Sequence, residues 1–260
     1  MPMLVGVIHL PALPGSPRGA LSAAECARSA ANDARVLAEA GYDAIIVENF
    51  GDAPFFATKV PPVTVAAMTA CAVAVRAAAE AVSLGINVLR NDGEAALSIA
   101  VCTEASFVRI NVLTGARVTD QGIVEGDAAG TLRLRRALLG EGVAIWADVD
   151  VKHSSPLGAP RPLVQEVEDL TKRGMADVVL VTGEGTGKGV DLDKLGVVKR
   201  ASGSPVLVAS GATLASLEAL AKISDGVVVG SALRRGGVPG GSIDEALAKE
   251  FAAAFRGAFG

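Results

Sequence analysis

Between Pro205 and Gly237 the chain reads PVLVASGATLASLEALAKISDGVVVGSALRRGG: two short Val-rich runs, each ending in a glycine turn, with a helix-length segment between them. Runs that are apolar throughout suit strands covered on both faces, the condition of a parallel sheet flanked by helices. The segment between them supplies the helical crossover that a parallel pair needs. The first run passes into Ser210-Gly211-Ala212-Thr213 and the second into Gly230-Ser231-Ala232-Leu233. Glycine lets a ligand approach the backbone closely, and a helix starting just beyond it points free N–H groups outward. Taken together the two turns form a site for a dianion such as phosphate; taken singly, each also reads as an ordinary tight turn.

The same alternation runs through the rest of the chain. Strands are expected over residues 3–9, 43–48, 86–90, 107–111, 143–149 and 177–181, ahead of the two already described. Helices are expected to about residue 40 from a Ser22/Glu25 capping box, then over 63–83, 93–104 (capped by Asp92), 128–139, 163–173, 191–201, and from 242 to 255. Eight strands and eight helices in strict alternation predict a (β/α)8 TIM barrel, an α/β fold occupying 1–260 as a single domain, in which the loops after strands seven and eight are the usual phosphate cup. An open doubly wound sheet is the alternative, weakened because no GxGxxG follows strand one. Residues 112–126 lack clear periodicity, and a structureless loop of that length predicts a lid.

Composition narrows the function classes. Half the residues are hydrophobic and 30 are glycine, so a large core is expected and disorder is not. A net charge of −4 without a dense Lys/Arg run argues against nucleic acid as a partner. No apolar stretch is long enough to span a bilayer, and the proline-broken N-terminus has no positive charge ahead of its apolar run, so neither a membrane span nor a secretory signal is expected. Cys26, Cys71 and Cys102 are widely spaced in expected helices and read as reduced core thiols of a cytoplasmic protein.

In such a barrel the chemistry lies at the C-terminal ends of the strands. Both histidines of the chain fall there, His9 after strand one and His153 after strand five. If strand geometry persists through Asp148-Val149-Asp150-Val151-Lys152, then Asp148, Asp150 and Lys152 share a side, an arrangement that splits two carboxyl proton affinities for acid–base work. Lys152 could instead form a Schiff base with a carbonyl substrate, or one aspartate could merely cap or pair with it, leaving His153 a loop residue. His9 could polarise a substrate oxygen or simply bond a loop carbonyl. Glu48 and Asn49 could supply a base and an orienting amide, or brace the neighbouring loop. Asn111 and Ser210, with Gly211, Ala212, Gly230 and Ser231, are candidates for substrate binding. Arg90 and Arg109 could bind substrate or pair with acids inside the barrel. Gly183-Glu184-Gly185-Thr186-Gly187-Lys188-Gly189 could close over a phosphate through Gly183 and Gly185, or be a surface turn; glycine rather than Ser/Thr after Lys188 argues against a nucleoside triphosphate. Glu48, Asp148, Asp150 and His153 could donate to a divalent metal, but no compact ligand motif supports one and no cofactor is identified.

The blocks VGVIHLPALPGSPR, DAIIVENFGDAPF, GINVLRNDGEAALSIA, FVRINVLTGARVTDQGIVEG, WADVDVKHSSPLG and VTGEGTGKGVDL run in order along the whole chain. On them the chain resembles the BtpA/SgcQ family. The resemblance implies a TIM barrel. The family's name comes from photosystem I biogenesis in cyanobacteria, while its occurrence in organisms without photosynthesis implies a general metabolic role. Members labelled as phosphoribosyl-type isomerases or nucleosidases accord with what the glycine turns and polar strand ends point to, an enzyme acting on a small phosphorylated sugar or sugar-derived metabolite as isomerase or lyase; a homo-oligomer is expected. The alternative is a non-catalytic biogenesis or stability factor that keeps the barrel as a scaffold.

Overall fold

The computed structural model describes residues 1–183 and 189–260 of the chain. Its strands, numbered along the chain, are β1 (Met3–His9), β2 (Ala44–Glu48), β3 (Ser83–Asn87), β4 (Phe107–Ile110), β5 (Ala116–Thr119), β6 (Gly122–Glu125), β7 (Ala144–Val149), β8 (Ser154–Pro156), β9 (Val178–Val181), β10 (Val206–Val208) and β11 (Gly226–Val229). Eight of them close a parallel barrel in the order β1-β11-β10-β9-β7-β4-β3-β2. The helices are α1 (Ala23–Ala40), α2 (Pro62–Ala78), α3 (Gly93–Cys102), α4 (Ala128–Ala137), α5 (Leu163–Glu168), α6 (Leu192–Ala201), α7 (Leu217–Ala221) and α8 (Glu245–Phe259). The fold is a TIM barrel. Among the described residues no helix is long and apolar enough to cross a membrane.

Local chemistry sets the helix ends. Ser22 and Glu25 form the expected reciprocal cap of α1, and Gly41, at φ 80°, ends that helix in the left-handed region. Asp92, Asp127, Asp191 and Asp244 accept backbone N–H bonds at the starts of α3, α4, α6 and α8. The last of these corrects the expected start at residue 242. Cys26 and Cys71 are buried, whereas Cys102, at the end of α3, is exposed rather than in the core.

Strand alternation sorts the barrel residues into two sets. Leu4, Ile8, Ile45, Val47, Leu84, Ile86, Val108, Ile110, Ile145 and Val179 face the helices and join the large outer core. Val5, Val7, Ile46, Phe107, Trp146, Leu180, Leu207 and Val228 form the separate inner one. Phe107 and Trp146 stack there with ring centroids 3.8 Å apart. Gly85 makes room for them, since a Cβ on it would fall 2.2 Å from the Phe107 ring.

Two further expectations are corrected. Strand three lies at Ser83–Asn87, not 86–90, because α2 ends at Ala78 and the chain turns over Ala79–Val82, where Val82 N–H bonds the Ala79 carbonyl. That places Asn87, not Arg90, at the strand end. Residues 112–126 are not a structureless lid: β5 and β6 form an antiparallel hairpin, and β8 adds to β5 as a third strand. Most of the hairpin side chains are exposed or half-exposed, so the sequence there lacks the apolar alternation by which a half-buried strand is recognised.

The packing around Gly85 generates a stability prediction. Gly85→Ala should destabilise the chain by about 1–3 kcal/mol, since the Phe107 ring is held against Trp146 and cannot swing away. A urea midpoint unchanged from the parent would contradict this packing.

Candidate active site

The parity that turns Val5, Val7 and Ile46 inward also turns His9, Glu48, Asn87, Arg109 and Asp148 inward at the C-terminal ends of their strands. The inner barrel is thus apolar below and polar above. Above the polar layer opens a cavity of about 430 Å³. His9, Glu48, Phe50, Arg90, Arg109 and Lys152 line one side of it; Ser210, Gly211, Ala212, Gly230 and Ser231 line the other.

Its floor is Arg109, held from beneath by a buried ion pair. Arg109 donates from Nε and Nη2 to Asp148 at 3.2 and 3.0 Å, and Asn111 Nδ2 donates to the same carboxylate at 2.6 Å. Asn87 Nδ2 donates to Asn111 Oδ1 at 3.2 Å. The Arg109 and Asp148 side chains are only 5% and 0% exposed, so each charge depends on the other. With both carboxylate oxygens committed, Asp148 is an anchor and not a free base.

His9 is stacked on Phe50 with centroids 4.3 Å apart, and its Nδ1 accepts a hydrogen bond from Gly240 N–H at 3.1 Å. Burial, with the charges of Arg234, Lys152 and Arg109 behind it, holds its pKa well below 6.5. A neutral ring that accepts at Nδ1 carries its proton on Nε2. Nε2 lies 3.9 Å from Glu48 Oε1, and Glu48 Oε2 lies 3.9 Å from Arg109 Nη1. Among the described residues nothing donates a hydrogen bond to the Glu48 carboxylate. A buried carboxylate with open lone pairs beside an imidazole N–H is an acid–base pair in waiting.

Lys152 is held by its backbone: its N–H bonds Thr182 Oγ1 at 3.0 Å, and its carbonyl accepts from Arg90 Nη2 at 2.9 Å. Burial lowers its pKa, with Glu48 and Asp148 opposing and Arg109 and Arg90 adding to the effect. Its ammonium forms no ion pair among the described residues.

Across the cavity, Gly211 adopts φ 83° and the chain passes β11 into a three-ten turn, Ser231–Leu233, rather than directly into an α-helix. The amides of Gly211, Ala212, Ser231 and Ala232 find no acceptor among the described residues. Arg234 clamps the second turn from below, donating to Gly230 O at 2.7 Å, Val7 O at 3.2 Å and Gly241 O at 3.1 Å. A Cβ on Gly230 would stand 3.1 Å from the His9 ring, so the glycine turn and the imidazole abut.

The structure separates some residues expected together. The strand ends at Val149 and Asp150 takes φ 50°, so Asp150 leaves the barrel side that Asp148 occupies. It bonds Arg117 Nη1 at 2.8 Å and Lys194 Nζ at 2.5 Å beside a smaller cavity of about 190 Å³. Asn49, one residue past Glu48, points away from the cavity: its Oδ1 accepts from Leu89 N–H at 2.7 Å and its Nδ2 donates to Asp52 at 3.1 Å, a brace between loops. His153, at φ 57°, is exposed at the rim. Gly183 is buried just past β9, and Gly185 lies outside the described residues. Among the described residues no group of three His, Cys, Asp or Glu side chains could hold a metal ion, and the four donors expected for one are split between Arg109's partner, the second cavity, the cavity wall and the rim. Three residues escaped the sequence reading. Asn87 was hidden by the shifted strand, Phe50 by its place in an irregular loop, and Arg234 by having no motif beyond an arginine four residues after Gly230.

A sequence model described as the BtpA family matches residues 2–257. The chain is 44% identical over 245 residues to the photosystem I biogenesis protein BtpA of Synechocystis, covering 94% of this chain and 83% of that one. It is 44% identical over 236 residues to the uncharacterized protein TK2179 of Thermococcus kodakarensis, covering 90% and 87%. Among solved structures, N-(5'-phosphoribosyl)anthranilate isomerase from Pyrococcus furiosus superposes with a TM-score of 0.58 at 16% identity, covering 98% of this chain and 99% of that one; this likeness is one of fold.

The electrostatics of the site generate two predictions. Asp148→Ala should cost about 3–5 kcal/mol by stranding Arg109, while Arg109→Met with Asp148→Leu should recover most of that. Equal losses in the single and double variants, read from urea midpoints, would contradict the pairing. Native His9 declines a proton that the unfolded chain takes up below about pH 6.5, so its contribution is whole above that pH and falls as the pH drops, by up to about 1.4 kcal/mol per unit. His9→Gln should flatten the stability profile between about pH 7 and 5.5. An unaltered slope would mean that His9 protonates normally.

Proposed function

The chain belongs to the BtpA family, and from that footing we propose that it is an enzyme acting on a small phosphorylated sugar or sugar-derived metabolite, as an isomerase or lyase that moves a proton next to a carbonyl. One observation carries the reading: four backbone amides with no acceptor among the described residues sit on two glycine turns that line one cavity with a neutral imidazole N–H and a carboxylate to which no described residue donates. Backbone amides converging without an acceptor suit a phosphate dianion. Phe50 and Gly230 hold the His9 ring between them, so a carbonyl carbon or two from the phosphate comes within reach of Nε2–H.

In this reading Glu48 takes the proton from the carbon next to the carbonyl. The carbonyl oxygen gains charge as it does so, and His9 Nε2–H and the Lys152 ammonium stabilise it. Glu48, now protonated, returns the proton to the former carbonyl carbon while His9 Nε2–H protonates the carbonyl oxygen and takes the proton of the adjacent hydroxyl, completing an isomerisation. Alternatively the enolate expels a group from the β-carbon, the carbon–heteroatom bond breaks, and Glu48 gives the leaving group its proton. Lys152 with its lowered pKa is also placed for a Schiff base; borohydride trapping separates that route from hydrogen bonding. Fold analogy with an isomerase of a phosphoribosyl compound agrees with a phosphate ligand and leaves the reaction to the site's own groups. A scaffold role gives no reason for a carboxylate and four amides without hydrogen-bond partners among the described residues to share one cavity.

The test works without the product being identified first. Among phosphorylated sugars screened by melting temperature, one at 100 times its dissociation constant should add about 2.7 kcal/mol of stability. That compound, incubated in deuterated water, should exchange a carbon-bound proton in the NMR spectrum, and Glu48→Gln should slow the exchange by about 10²-fold or more while leaving binding intact. Failure of every phosphorylated sugar to stabilise the chain, or exchange undiminished by Glu48→Gln, would reject the proposal.

A further inference from the structure

We propose that the substrate carries, besides its phosphate, a carboxylate, and that Arg90 and Lys152 receive it on the wall facing the glycine turns. This rests on the phosphate reading above and narrows its substrate class to a phosphorylated sugar acid. The barrel order makes the placement explicit: four strands on from β10 and β11 around the closed sheet are β3 and β4. Arg90 lies in the loop after β3 and Lys152 in the loop after β7, next to β4. A ligand fixed by its phosphate at the turns therefore extends toward these two side chains.

The charges lining that wall are unbalanced. Arg109 is met by Asp148, with Glu48 beyond it. Arg90 and Lys152 are both substantially withdrawn from water, and neither forms an ion pair among the described residues. Glu48, Asp148 and, from the hairpin tip, Asp120 act on Arg90 only at longer range. Buried charge without a counterion is unfavourable, and the arrangement makes sense when a ligand supplies one. Of the two cations, Glu48 offsets one; a monoanion offsets the other. A carboxylate therefore leaves the wall neutral, whereas a second phosphate leaves it with excess negative charge.

The geometry is also prepared for a planar group. Arg90 is fixed at its backbone by a bond from its N–H to Phe56 O at 3.1 Å and at its head by the Nη2 bond to Lys152 O at 2.9 Å. That second bond ties the two cationic residues together and leaves Arg90 Nε and Nη1 without a partner among the described residues. A guanidinium with free donors beside an ammonium matches the two oxygens of a carboxylate. Neutral hydroxyls could bond the same donors but would leave the charge uncompensated.

The experiment uses the full chain and calorimetric titration with matched pairs of probes. Phosphorylated aldonic acids of three, four and six carbons are compared with the sugar-alcohol phosphates of equal length, which lack the acid and cannot react with lysine. At the length that spans the cavity, the acid should bind about tenfold or more tightly than its alcohol, as expected for charge-assisted bonds. Arg90→Gln should erase most of that ratio by weakening the acid far more than the alcohol phosphate, while Arg90→Lys retains part of it. The inference is overturned if alcohol phosphates bind and the acids bind no better, if Arg90→Gln weakens both alike, or if a bisphosphate of the same length binds more tightly than the acid. In each of those cases the phosphate reading stands. If no compound in the series binds, inorganic phosphate included, both readings fall together. The parent's acid-to-alcohol ratio decides the matter even if the variant does not fold.

Discussion

The structure turns on a buried charge pair at the centre of a closed sheet. Arg109 and Asp148 project inward from β4 and β7, above the stacked rings of Phe107 and Trp146; two hydrogen bonds join them, Asn111 adds a third to the carboxylate, and both side chains are buried. Neither charge is tolerable there alone, and the pair as a whole is no large source of stability. Its consequence is positional. With Arg109 pinned, its remaining Nη1 faces Glu48, and the layer of polar ends above an apolar filling becomes the floor of a cavity in place of a continuous core. The hydrophobic interior ends where this layer begins.

Around that floor the two walls are built differently. On one wall side chains act: His9 is held neutral by burial and oriented by the Gly240 amide, Glu48 keeps its lone pairs open, and Lys152 and Arg90 are tied through one carbonyl. On the other wall the backbone acts, through two glycine turns and the Arg234 clamp on the carbonyls beneath them. Rigid backbone donors on one side and titratable side chains on the other divide holding from reacting, since amides bind an anion without changing protonation state. The close contact between Gly230 and His9 joins the two walls, which limits how far the reacting carbon can lie from the held group.

Much of this was legible in the chain itself. The strand–helix alternation, the caps at Ser22 and Asp92, and the glycine turns after β10 and β11 are local signals, and each corresponds to a local structure. Asn87, by contrast, could not be read, because an alanine-rich helix without a stop residue gives no boundary for the strand that follows. The relation of Asp148 to Asp150 departs from the expected shared side for a different reason. Alternation holds only while the strand does, and a left-handed residue at Asp150 ends it, sending that carboxylate to Arg117 and Lys194. Asn49 shows the same rule from the other side: alternation past Glu48 turns it out of the cavity, toward Leu89 and Asp52. Arg109's partner and Arg234's role depend on contacts across dozens to hundreds of positions, which no local pattern encodes.

The central claim is that the amides of the two glycine turns, which have no acceptor among the described residues, hold a phosphate facing Glu48 and His9. Titrating the uniformly ¹⁵N-labelled chain with inorganic phosphate, and following its amide resonances, addresses that most directly. The account predicts saturable shifts at Gly211, Ala212, Ser231 and Ala232, accompanied by His9 across the contact with Gly230. Shifts confined to other parts of the molecule, or none at these four amides at saturating phosphate, would contradict it.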